Sequence, residues 1–85
     1  TETFVEMAPD FEIILDQAIS KLPLQQQKVF VFRMQGLKNP EIAKKMNLAT
    51  DSVKKYYKLS LENVKKNVNG SHSVVIFIAY LLNLE

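Results

Sequence analysis

Eight lysines lie between residues 37 and 70, where the only acidic residues are Glu41, Asp51 and Glu62, a surplus of five positive charges. Residues 1–36 run the other way, with Lys21, Lys28 and Arg33 against Glu2, Glu6, Asp10, Glu12 and Asp16. A basic segment of this kind neutralises phosphates, and that is the chemistry the residue types point to. Charge alone fits a solvated helix surface equally well. Other chemistries lack their parts. There is no Cys, so disulfides and thiolate metal sites are excluded. The single His72 stands beside a glycine loop with no second ligand. No nucleophile–base set and no glycine-rich phosphate loop occurs, so no enzyme, cofactor or metal is expected.

The basic residues must be carried by elements that can present them. Residues 36–68 read as a short helix, a tight turn and a longer basic helix, the layout of a helix-turn-helix. Asn39 is suited to cap the short helix, with Pro40 at its first position. Ile42, Ala43 and Met46 face inward, and Asn47 falls where the turn needs a positive φ. The longer helix carries Val53, Tyr57, Leu61, Val64 and Val68 as an inward stripe. Its other faces carry Asp51, Ser52, Lys54, Lys55, Tyr56, Lys58, Glu62, Lys65 and Lys66. Such a helix can pack its back on the core, put its front into a major groove and offer its first amides to a phosphate.

Two helices precede this pair. Phe11, Ile14, Leu15, Ala18, Ile19 and Leu22 form one apolar stripe, capped by Asp10 and ended by Pro23. Val29, Phe30, Val31 and Phe32 then make a second helix buried on more than one side, closed by Gly36. Gln25, Gln26 and Gln27 form its solvated start, one of them within reach of a phosphate. The expected helices are 10–21, 24–35, 40–46 and 50–67, following a leader over residues 1–9. The fold class is all-α, a small helix-turn-helix bundle over residues 10–69. Residues 70–85 form an apolar segment with no amphipathic face, too short to span a bilayer as a helix. It reads as a fifth helix covering the core, with a docking or self-association role for residues 74–84 as the sharper alternative. The chain begins with Thr1 rather than Met, the mark of a piece of a longer protein. Its acidic start is unlike a signal peptide, which with the absence of Cys suits the cytoplasm.

Leu22-Pro23, Gln26, Val29-Phe30, Arg33, Gly36-Leu37, Glu41-Ile42-Ala43 and Ser52-Val53-Lys54 together resemble region 4 of extracytoplasmic-function sigma factors. The resemblance covers about residues 10–68. The apolar tail is similar in composition to the extension on such factors in Bacteroidetes-type bacteria. The resemblance implies recognition of the −35 element of duplex promoter DNA and docking on the RNA polymerase β-subunit flap, with an anti-sigma factor as a further partner. Carried over by position, Thr50, Asp51, Ser52, Lys54, Lys55, Tyr56 and Lys58 would face the groove. Lys38 and Asn39 would touch phosphate. Arg33 stands one residue nearer Gly36 than that pattern has it, a spacing that also suits a LuxR-type DNA-binding domain. Ala49 replaces the usual capping Ser, leaving Thr50 or Asp51 to cap. A mainly protein-docking helical module is the alternative from another functional class. Arg33 is expected to bridge to a carboxylate inside the domain, and Tyr57 and the methionines to be core.

Overall fold

The computed structural model describes residues 11–68 and 72–84. They form five helices and, among the described residues, no strand: α1 (Phe11–Ser20), α2 (Leu24–Met34), α3 (Asn39–Met46), α4 (Thr50–Lys66) and α5 (His72–Leu84). The leader, the Asp10 cap, residues 69–71 and the His72 side chain lie outside the described residues.

Central α4 packs against all four other helices. Its inward stripe is as the periodicity predicts: Val53, Tyr57, Leu61, Val64 and, just beyond the helix, Val68 are all buried. Ser60 is buried among them, its hydroxyl donating to the Tyr57 carbonyl at 2.6 Å. That bond meets the polar requirement of an otherwise apolar stripe. From α2, Val29 and Phe30 complete this core, with Ile42 and Ala43 from α3 and Ala18 from α1.

Two helix ends use the same device. Gly36 has φ 97°, its N–H donates to the Arg33 carbonyl at 3.0 Å, and the Leu37 N–H donates to the Phe32 carbonyl at 3.1 Å. Asn47 has φ 57°, its N–H donates to the Lys44 carbonyl at 3.3 Å, and the Leu48 N–H donates to the Ala43 carbonyl at 2.9 Å. Both are Schellman closures, which need one left-handed residue and use Gly or Asn for it. They set the turns on either side of α3.

Several expectations need correction. Asn39 is the first residue of α3, not its cap; the capping position is Lys38, whose N–H donates to the Glu41 carboxylate at 2.7 Å. Neither Thr50 nor Asp51 caps α4: Ala49 holds that position with no side-chain cap bond. On α2, Val31 and Met34 are exposed, so one side of this helix faces outward. Gln26 is buried, and its Oε1 accepts from Asn63 Nδ2 at 2.7 Å, so it is neither solvated nor offered to phosphate.

The apolar segment is a helix with two faces. Val74, Ile78 and Leu81 are buried, while Ile76, Tyr80 and Leu84 are exposed. Composition hid this because both faces are apolar. α5 packs on α4 and α1, with Phe77 meeting Phe11 edge-on at 5.4 Å between ring centroids. It runs back along α4, so that Leu82 reaches Lys54, Lys55 and Lys58. No helix among the described residues is long and apolar enough to cross a membrane.

Candidate nucleic-acid interface

The first three turns of α4 present the candidate residues, and the helical period sorts them. Asp51, Lys55, Lys58 and Glu62 are all exposed and recur at spacings of four, three and four, one stripe opposite the buried one. Ser52, Tyr56, Leu59 and Asn63 repeat the same spacing on the flank towards α2 and are half-buried. Lys54 is exposed on the other flank, where Lys54, Lys55, Lys58 and Leu82 line a cleft between α4 and the end of α5, with Tyr57 at its floor. Thr50 is exposed in the first turn.

The predicted set is therefore not one surface. Lys55 and Lys58, with Asp51, form the open front. Tyr56 packs partly against the core, which limits what its ring can offer to a base. Lys54 opens into the α5 cleft.

At the start of α3, Lys38 is exposed and Asn39 half-buried. Both line a hollow with Arg33, Gly36, Leu37 and Pro40. Asn39 already has a partner inside the domain: its Oδ1 accepts from Arg33 Nη1 at 2.8 Å. The Arg33 guanidinium also lies over the Tyr57 ring, 4.0 Å from its centroid. The partners of Arg33 therefore include an amide oxygen and a ring face. Spacing could not show this, because Arg33, Asn39 and Tyr57 lie on three different helices. Among the described residues, no group of His, Cys, Asp or Glu could hold a metal ion.

A second surface lies between α1 and α2. Phe11, Leu15, Ile19, Phe30, Val31 and Met34 line an apolar groove there, edged by Glu12, Asp16 and Gln35. Sequence reasoning missed it, because Val31 and Met34 were assigned to the core.

With this geometry, the chain matches the family described as sigma-70, region 4, over residues 12–64. The chain belongs to that family. The match runs from α1 to the last turn of α4 and takes in both surfaces, leaving α5 beyond it. No curated protein and no solved structure matches the chain. Membership in the sigma-70 region 4 family favours the sigma resemblance over the LuxR-type alternative. Region 4 domains work in transcription initiation through promoter DNA and RNA polymerase, and the helix-turn-helix seen here is the unit that such work requires.

Proposed function

We propose that this region 4 domain reads the −35 element of promoter DNA through the front of α4, as part of an extracytoplasmic-function sigma factor acting in the cytoplasm. The observation that carries the reading is the exposed Lys55–Lys58 front, set opposite a fully buried stripe on a helix held by a helix-turn-helix. A helix so mounted can enter a major groove, which is about 12 Å wide and admits one helix. Lys55, Lys58 and Lys54 then meet phosphates, with Asp51 and Ser52 near base edges. Lys38, exposed at the start of α3, reaches a backbone phosphate beside the groove.

RNA polymerase docking belongs to the other surface. The α1–α2 groove is apolar with acidic residues at its edge, suited to an apolar segment of the polymerase β flap.

Fluorescence anisotropy with promoter duplexes across a salt series tests the DNA reading. Affinity should fall steeply with salt, because each lysine that meets a phosphate displaces counterions. Lys55→Ala and Lys58→Ala should each lower the log–log slope by about 1. A salt-insensitive or undetectable interaction, in both free and polymerase-bound protein, would reject this function. Met34→Asp should leave duplex binding intact and weaken capture by polymerase; equal capture would remove the groove from the docking surface.

A further inference from the structure

We propose that Arg33 is the positioning residue of the reading unit, fixing the angle between α3 and α4 rather than binding phosphate. The inference rests on the DNA reading above for its consequence, but on geometry for its substance. Arg33 stands in the last turn of α2. Its Nη1 donates to Oδ1 of Asn39, the first residue of α3, at 2.8 Å. The same guanidinium covers the ring of Tyr57 in α4 at 4.0 Å. One planar group therefore touches the end of one helix, the start of the next and the flank of the third.

Its partners are themselves held. Tyr57 is 2% exposed, with the Phe30 ring 6.4 Å away, so the ring is a fixed seat. Asn39 precedes Pro40, whose ring limits the backbone to the conformation that starts a helix. The connection from α2 to α3 turns on Gly36, where a left-handed φ of 97° is served by a residue without a side chain. Within that turn Leu37 packs against the core, and Arg33 spans the turn to reach α3 with a directed hydrogen bond.

Stacking and donating at once needs a planar fork. A lysine keeps the charge but is a point donor that cannot lie flat on the ring while reaching Asn39. Arg33→Lys therefore separates position from charge.

The test pairs a DNA-free readout with a binding one. The chain has no Cys, so spin labels placed by Lys44→Cys on α3 and Glu62→Cys on α4 report one interhelix distance. The wild-type background should give a narrow distribution, and Arg33→Lys a broader or shifted one, with helix content by circular dichroism unchanged. An unchanged distribution overturns the proposal, whether or not the domain binds DNA. In binding, the duplex selected best by the wild type should lose about tenfold with Arg33→Lys. Affinity for unrelated duplexes and the salt slope should stay the same. Asn39→Ala should act in the same direction, and the double variant should be less than additive. If Arg33→Ala lowers the salt slope by about 1 and Arg33→Lys restores it, Arg33 is a phosphate ligand and the proposal fails. If both variants lower only the melting temperature, its role is stability alone and the proposal fails equally.

Discussion

Asn47 holds a left-handed backbone at φ 57° between α3 and α4, a conformation that costs most side chains roughly 1–2 kcal/mol. Asn47→Ala should lose about 1 kcal/mol in urea denaturation, whereas Asn47→Gly should stay within a few tenths. This residue was legible in the sequence because its requirement is local: after glycine, Asn best tolerates the conformation. Gln26 was not legible. Gln25, Gln26 and Gln27 look alike in the chain, yet only Gln26 is buried, because its partner Asn63 lies 37 positions away on α4. Gln26→Ala leaves the half-buried Asn63 amide without this acceptor and should lose about 1–2 kcal/mol. An equally stable variant would show that water replaces the glutamine at no cost. Arg33 belongs with Gln26: its type was noted in the sequence, but its partners are set only by how three helices cross.

At the scale of elements, period-reading worked where a helix has one wet face and failed where it has two apolar ones. The stripe of α4 alternates with charge, so its core residues could be named in advance. The uniform apolarity of α5 carries no such contrast, and the structure divides it by contact instead. Ile78 is fully buried while Ile76 is 59% exposed, two positions apart on the same helix. Ile78→Ala should therefore lose about 2–5 kcal/mol, and Ile76→Ala no more than about 0.5 kcal/mol. Thermal melts of the two variants check this; equal losses would mean that the outer face of α5 is also covered in solution. For an 85-residue domain the first loss is a large share of a typical total of about 5–15 kcal/mol. Removing residues 72–85 takes away Val74, Ile78 and Leu81 together and should unfold the bundle.

Across the whole molecule, the two faces differ in charge. Positive charge gathers on α3 and α4, whereas α1 carries Glu12 and Asp16 and no basic residue. Each face can then be altered without the other, which is why substitutions in the α1–α2 groove and on the front of α4 should separate polymerase capture from duplex binding. Position along α4 matters as well as face. Lys65 lies ten residues beyond Lys55, about 15 Å along the axis, so Lys65→Ala should reduce duplex affinity less than Lys55→Ala does. Anisotropy titrations at one salt concentration compare them, and an equal or larger effect at Lys65 would move the interface towards the far end of the helix. The return of α5 along α4 has a practical result. Leu82 stands beside Lys54, Lys55 and Lys58, so on the proposed reading a dye attached through Asn83→Cys would sit at the rim of the duplex. The same helix that closes the core thus provides a built-in station for reporting when DNA arrives, and a poor place to attach anything bulky.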